Sequence, residues 1–133
     1  MSRVIFAVFL FFVSLSTYAA DCFKFKHEAC IVSMVELIAS PDRFDKRNVI
    51  VHGVLGYSNN SYKLYLSRDF FDIDSTVNSI NIVVGDSRIE NFDEHLSKYV
   101  QLKGVFSKTK YPYSAIPSEI LLNDPIYYFE KVK

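Results

Sequence analysis

Five short runs of alternating residues, broken once by a helical pattern, are the feature of this sequence that most restricts its fold. The runs cover residues 48–57, 62–67, 79–84, 99–106 and 120–132, and a helical run at 92–99 lies between the third and the fourth. Period-two alternation is typical of strands that bury one face. Gly53 and Gly104 lie inside the first and fourth runs, where a glycine marks a bulge or a tight bend. This order predicts a mainly β fold, a five-stranded OB-like Greek-key barrel.

A helix is predicted ahead of the barrel. The apolar residues between Ile31 and Ile38 recur at spacings of three and four, which is the helical period. Ser40 and Pro41 then fit the cap and the first position of a second, short helical turn that carries Phe44.

The first 19 residues have the profile of a cleavable signal peptide. Arg3 supplies a positive charge, residues 4–13 are apolar, and Thr17-Tyr18-Ala19 fits a cleavage site. An apolar run of this length is about half of what a membrane-spanning helix needs. We expect cleavage after Ala19, with Ala20 as the alternative, and no membrane insertion of the mature protein.

Removal of the leader leaves residues 20–133, enough for one hydrophobic core and too few for two, so we expect a single domain. The protein is predicted to be exported, to the periplasm or the exterior. Lipidation at Cys22 is an alternative, but Asp21 stands where lipidation signals have a small residue.

The charge balance of the chain bears on its partners. The chain has 15 Lys+Arg and 15 Asp+Glu. Nonspecific nucleic-acid binding depends on a basic surface that releases counterions from phosphates. A neutral chain has no net excess of positive charge, so only a local stripe of basic residues could bind nucleic acid in this way.

Both cysteines of the chain, Cys22 and Cys30, lie in the N-terminal part of the mature segment. Two cysteines in an exported chain predict a disulfide. Two buried free thiols are the alternative. A metal site that uses His27 and Glu28 is less favoured, because structural zinc needs four ligands and no second ligand pair follows. We expect no metal and no cofactor.

The sequence contains no recognised catalytic arrangement. A hydrolytic nucleophile needs a neighbouring base and an orienting acid, and the three histidines lie outside nucleophile motifs: His27, His52 and His95. The acidic cluster Asp69, Asp72 and Asp74 lacks the glycine and the terminal glutamate of a calcium loop. We interpret it as a solvated loop over two core phenylalanines, Phe70 and Phe71, and we predict that the protein is not an enzyme.

Aromatic and basic residues near the second and third strands form the candidate binding surface, because OB barrels bind through this face and its adjoining loops. The candidates are Tyr57, Tyr62, Tyr65, Arg68, Lys108, Lys110, Tyr111 and Tyr113. Core packing is the alternative for Tyr62 and Tyr65. The stretch 107–118 contains Pro112 and Pro117, so we predict an exposed loop and not a strand.

Three segments resemble small exported bacterial OB-fold-like proteins of mostly unknown function. Residues 35–53 (VELIASPDRFDKRNVIVHG) are similar to the helix, Asn/Ser-Pro turn, Asp-Gly-Lys turn and Val-x-Val-x-Gly strand that open those proteins, although Lys46 stands where the pattern has glycine. Residues 64–67 (LYLS) and 99–106 (YVQLKGVF) are similar to their second and fourth strands. The resemblance implies the fold and transfers no catalytic residue.

Three functions are compatible with these observations. The first is a noncatalytic binding module of the cell envelope or exterior that engages a protein or peptide through the barrel face. The second is an OB-type binder of single-stranded nucleic acid or oligosaccharide, which would use the tyrosines with Arg68, Lys63, Lys108 and Lys110. The third is a small envelope enzyme with an unrecognised site. A continuous positive groove along the second and third strands would favour the second function.

Overall fold

The computed structural model describes residues 28–85, 92–110 and 118–122, and the backbone of 127–128. These residues contain seven strands, named in chain order: β1 (Cys30–Ile31), β2 (Arg47–Ser58), β3 (Ser61–Tyr65), β4 (Ser79–Val84), β5 (Tyr99–Ser107), β6 (Glu119–Leu122) and β7 (Tyr127–Tyr128). Three short α-helices accompany them: α1 (Met34–Ala39), α2 (Pro41–Phe44) and α3 (Arg68–Asp72). Two 3₁₀ turns cover Thr76–Asn78 and Phe92–His95.

Five of the described strands close a barrel in the order β2, β3, β4, β6, β5 and back to β2. β4 and β6 are parallel, and the other four pairings of the ring are antiparallel. This is the Greek-key order of the OB type. The prediction of a mainly β fold with a five-stranded OB-like barrel is therefore confirmed.

β2 is the long strand that joins the two halves of the barrel. Its residues up to Val54 pair with β5, and its residues from Val54 onward pair with β3. Gly53 lies at this change of partner, in a ladder that continues without an inserted residue. β1 adds to β2 in parallel, and β7 adds to β5 antiparallel.

The helix ahead of the barrel is present but begins later than the periodicity predicted. Ser33 starts α1 through a capping box, in which its Oγ accepts the backbone N–H of Glu36 at 3.2 Å. Ile31 precedes this cap, so it is extended in β1 and exposed, which corrects its assignment to the helix. Pro41 opens α2 as predicted, and Phe44 is buried.

The helix predicted at 92–99 is also shorter than expected. A single 3₁₀ turn covers Phe92–His95, and Ser97 then adopts a left-handed φ of 65° before β5 begins at Tyr99. The left-handed residue ends the helical path, because an α-helix needs successive right-handed φ values.

Local turn geometry explains two connections. Asn59 and Asn60 have φ of 52° and 59°, the left-handed pair that a two-residue hairpin turn requires between β2 and β3. Lys46 also adopts a left-handed φ of 60°, at the position where the resembling proteins have glycine. Its N–H donates to the Phe106 carbonyl at 2.8 Å, which holds the turn against β5.

The barrel interior forms one apolar cluster, and α1, α2 and the second 3₁₀ turn pack side chains against its ends. Its members include Val49, Val51, Leu55, Leu64, Ile80, Ile82, Val100, Leu102, Phe106, Ile120 and Leu122, with Met34, Leu37, Phe44 and Phe92 from the flanking elements. Gly104 allows β6 to approach β5, because a Cβ there would lie 2.2 Å from the Leu121 carbonyl oxygen. Within the part of the chain that the structure describes, each helix falls short of the length needed to cross a bilayer. The predicted leader, residues 1–19, lies outside the described residues.

Candidate binding surface

Tyr57 and Tyr62 stand side by side at the end of the barrel where the β2–β3 hairpin turns. The two residues are cross-strand partners, and their ring centroids lie 4.9 Å apart at 60°. The Tyr62 ring packs in turn edge-to-face on Phe92, at 4.4 Å and 69°. Tyr62 is partly buried against the interior cluster, while Tyr57 is 54% exposed. We call Tyr57, Tyr62 and Phe92 the aromatic end.

A hydrogen bond fixes the central ring of the aromatic end. The Tyr62 hydroxyl donates to Asp93 Oδ1 at 2.6 Å. This bond, with burial and the negative charge of Asp93, raises the pKa of Tyr62 to about 12. Tyr62 therefore stays protonated and held in place, and Tyr57 rests on an ordered support.

Tyr65, a binding candidate with core packing as its alternative, does not belong to this surface because its side chain is buried. Tyr62 and Leu64 point into the barrel, so Lys63 and Tyr65, the alternate residues of β3, point outward. Both are nevertheless covered, since Tyr65 is 2% exposed and Lys63 is 4% exposed. The cover is the connection between β3 and β4, whose Phe71 packs edge-to-face on Tyr65 at 5.6 Å.

Asp74 joins this connection to the two strands. Its Oδ1 accepts a hydrogen bond from the Tyr65 hydroxyl and lies 3.3 Å from Lys63 Nζ, and its Oδ2 accepts from Ser58 Oγ at 2.5 Å. The hydrogen bonds from Ser58 and Tyr65 hold the pKa of Asp74 below its usual range. Burial, together with the bond to Asp74, raises the pKa of Tyr65. A carboxylate so stabilised is a poor general base, so we interpret the cluster as a structural attachment.

The basic candidates are engaged with acidic groups or with the backbone. Arg68 donates to the Ser97 carbonyl at 2.7 Å, lies 3.4 Å from Asp72 and sits over the Phe71 ring at 5.0 Å. The contacts with Asp72 and Phe71 hold Arg68 against its own connection, and the bond to Ser97 joins that connection to the residues before β5.

Lys108 lies away from the aromatic end. Its ammonium pairs with Asp42, which raises the pKa of Lys108, and its backbone N–H donates to Asp45 Oδ1 at 3.0 Å. Lys108 follows the end of β5, beside the first residues of β2, whereas Tyr57 is near the last. Lys110 is exposed on the same connection. Tyr111 and Tyr113, and most of the loop predicted at 107–118, lie outside the described residues.

The acidic cluster does not converge on a common point. Asp72 faces Arg68 and Asp74 faces Lys63, and within the described residues no group of three His, Cys, Asp or Glu could hold a metal ion. The segment forms α3 and not an irregular loop, and no residue of α3 is fully buried, so the expectation of two core phenylalanines there is wrong.

Cys30 is buried in the described part of the chain. Cys22 lies outside the described residues. The predicted disulfide between them therefore stays a prediction.

Sequence reasoning missed an apolar pair on the barrel wall. Val83 of β4 and Leu121 of β6 are register partners on adjacent strands, and about two fifths of each side chain is exposed. The signal was present in the run 79–84, where Val83 occupies an outward position of the alternation.

Comparisons with known proteins add no argument for the fold, which is assigned from the strand order. No protein-family model matches the chain. No curated protein matches it. Among solved structures, the chain is similar to one assigned as an aspartyl-tRNA synthetase from Leishmania major Friedlin, with a TM-score of 0.46 and 14% identity over 80% of this chain. The matched region spans 22% of that synthetase chain. It is also similar to an OBody bound to hen egg-white lysozyme, with a TM-score of 0.43 and 16% identity over 68% of this chain and 88% of that one.

Proposed function

We propose that this protein is a noncatalytic binding module that engages a protein or peptide partner through the aromatic end of its barrel. The proposal rests on the observation that the Tyr57 ring is exposed but packed on an ordered neighbour. Its ring is more than half exposed, yet it rests edge-to-face on Tyr62, whose hydroxyl is fixed by Asp93. An ordered aromatic ring makes a good anchor, since little side-chain entropy is lost on contact.

The wall beside the aromatic end supports the same proposal. Tyr62 pairs with Ile82, and the next residue of β4, Val83, is exposed beside Leu121. Protein interfaces place aromatic and aliphatic side chains at their centre. Val83 and Leu121 supply aliphatic groups of this kind on two adjacent strands, β4 and β6.

The charges near these residues favour a protein partner over a nucleic acid. Three of the four cations considered for phosphate binding already face carboxylates: Lys63 faces Asp74, Arg68 faces Asp72 and Lys108 faces Asp42. Asp93 and Glu94 are exposed at the aromatic end itself. A polyphosphate would meet these carboxylates, and each of the three paired cations would have to leave its ion pair before it could neutralise a phosphate.

Export belongs to the proposal as well. We propose that the leader is removed after Ala19 or Ala20, that Cys22 and Cys30 are bridged in the exported protein, and that its kin are the small exported OB-fold-like proteins it resembles. Intact mass of the exported protein before and after alkylation under denaturing conditions measures the cleavage site and the thiols together. A retained leader or two alkylated cysteines would contradict this part of the proposal.

The binding test uses the mature protein as bait in an envelope extract, with Tyr57→Ala, Tyr57→Phe and Val35→Ala variants. Val35 is an equally exposed apolar residue on α1 and provides the matched control. We expect Tyr57→Ala to reduce capture of a specific partner at least about tenfold, as loss of an interface anchor does. Tyr57→Phe and Val35→Ala should retain it.

Two outcomes would count against the proposal. If Tyr57→Ala captures the partner as well as the unmodified protein, the aromatic end is not the binding surface. If the protein instead binds a single-stranded oligonucleotide or an oligosaccharide saturably at physiological salt, and Tyr57→Ala abolishes that binding, the OB-type alternative is supported. Circular dichroism of each variant checks that the barrel is intact.

A further inference from the structure

The connection between β3 and β4, residues 67–78, crosses the outer face of the β2–β3 strand pair. We call residues 67–78 the strap. Its two ends are joined at the base, where the Leu66 N–H donates to the Asn78 carbonyl at 3.0 Å and extends the β3–β4 ladder by one step. A compact loop whose ends lie together can move as one unit.

The strap satisfies its backbone internally. The N–H groups of Phe71, Asp74 and Ser75 donate to carbonyls of Ser67, Phe71 and Phe70, at 2.9 to 3.1 Å. Apart from the bond at the base, the strap backbone is hydrogen-bonded to the barrel, among the described residues, only where the Ser79 hydroxyl of β4 donates to the Thr76 carbonyl at 3.0 Å beside that base. Lifting it would therefore break no bond of the barrel ladder.

Side chains attach the strap to the barrel at three points. Arg68 reaches the Ser97 carbonyl, Phe71 packs on Tyr65, and Asp74 binds Ser58, Lys63 and Tyr65. Gly56 makes room for the second contact, because a Cβ there would lie 2.9 Å from the Phe71 ring.

The strap contributes little apolar burial of its own. No residue of α3 is fully buried, and Ile73 and Val77 are strongly exposed. A segment with few buried apolar groups and self-contained backbone bonds has the features of a unit that opens locally, at a lower free energy than global unfolding.

The barrel face beneath the strap, unlike the strap itself, consists of buried side chains. Val54, Lys63 and Tyr65 are buried, but Val54 and Tyr65 do not belong to the interior cluster. Tyr65 lies on the outside of β3, the second barrel strand, which is one of the two strands that OB barrels use for ligands. The strap is what covers Lys63 and Tyr65.

We infer that the strap is a hinged cover, latched by Asp74, that opens while the barrel stays folded and thereby uncovers Lys63 and Tyr65. Opening hydrates the Lys63 ammonium and the Tyr65 hydroxyl, which offsets part of the lost contacts with Asp74.

The test measures how Lys63 becomes accessible. The intact protein is treated with the N-hydroxysuccinimide ester of acetic acid at several denaturant concentrations below the unfolding transition, and acetylation of Lys63 is followed by mass spectrometry. Hydrogen exchange of β5 amides gives the global opening in parallel. We expect Lys63 to react at least about tenfold faster than global unfolding allows, with little dependence on denaturant, because local opening exposes little surface.

Three variants test the latch. Asp74→Asn removes it, and Phe71→Ala loosens the strap while keeping the pair between Lys63 and Asp74. Both should accelerate acetylation of Lys63 at least about tenfold. Exchange in β5 should accelerate by no more than the same factor, because the closed state loses the same free energy relative to the open and the unfolded states, and it should remain slower than acetylation. Asp69→Asn, which changes an exposed carboxylate on α3, should leave both rates unchanged.

Acetylation of Lys63 with the rate and denaturant dependence of global unfolding in the unmodified protein would overturn the inference. This comparison needs no variant, so it remains decisive even if Asp74→Asn fails to fold. Acceleration by Asp74→Asn but not by Phe71→Ala would also overturn it, because that result reports only the altered reactivity of the unpaired Lys63 amine.

Discussion

Replacing Gly104 by alanine should damage the barrel at its closing seam. Gly104 lies in β5 opposite Leu122 of β6, and a Cβ at this position would lie 2.2 Å from the Leu121 carbonyl oxygen. That atom belongs to the backbone of the neighbouring strand, so no side-chain rotation can relieve the contact. The two strands would have to separate, and the β5–β6 ladder would lengthen or break at this point.

The expected cost follows from two opposing effects. Overpacking a tight interior site costs about 1–3 kcal/mol, and each weakened ladder hydrogen bond adds about 0.5–1.5 kcal/mol. The loss of backbone freedom in the unfolded chain returns about 0.4–1 kcal/mol. We expect Gly104→Ala to lower the free energy of unfolding by about 2–3 kcal/mol, which corresponds to a fall in Tm of about 10 °C for a domain of this size.

Gly85→Ala is the matched control. A Cβ at Gly85 would also meet Leu121, at 2.9 Å, but the atom it meets is the terminal Cδ1 of a partly exposed side chain that can rotate away. Both substitutions reduce the backbone freedom of the unfolded chain equally. The difference between their free energies of unfolding therefore measures the clash with the β6 backbone. Urea unfolding followed by circular dichroism should place Gly85→Ala within about 1 kcal/mol of the unmodified protein. Equal stabilities for the two variants would refute the reasoning and the close approach of β6 to β5.

Two further predictions concern groups with shifted pKa values. The pKa of Tyr62 is raised to about 12, so the contribution of Tyr62 to stability is present below pH 10 and is lost as the pH rises towards 12. Tyr62→Phe should lower the free energy of unfolding by about 1 kcal/mol at neutral pH. In urea unfolding at a series of pH values, the same variant should lack this alkaline loss. The pKa of Asp74 is lowered, so its contribution is present above the unfolded value of about 3.9 and is lost as the pH falls through the lower folded value. Asp74→Asn should flatten the acid limb of the stability curve, and an unchanged limb would contradict the role given to Asp74.

The strands were accessible to sequence reasoning because their signals are local. The run predicted at 79–84 is β4 without change, and the run predicted at 99–106 is β5 with one residue added. The asparagines at 59 and 60 predict their turn by their own conformational preference. The helices were predicted less well, because a cap at Ser33 and a left-handed residue at Ser97 decide where they begin and end.

Some residues of the candidate site could be predicted from local patterns, and others could not. Exposure of Tyr57 agrees with its prediction as a surface aromatic residue, and Val83 could have been found from the alternation of its own run. The burial of Tyr65 could not be predicted from the sequence, because an alternation of period two says only that Tyr65 points away from the barrel interior. Whether that outer side meets water or a covering segment depends on where residues 67–78 fold.

The sequence by itself determined the strands, the main turn and the order of elements that specifies an OB-type barrel, because alternation, glycine positions and turn residues act over a few neighbours. Only the tertiary structure decided which side chains meet. The pairing of Asn81 with Glu119 joins β4 to β6, and the contact of Asp74 with Lys63 attaches the strap. Such contacts depend on the path of the whole chain, and no local pattern encodes the distance between their partners.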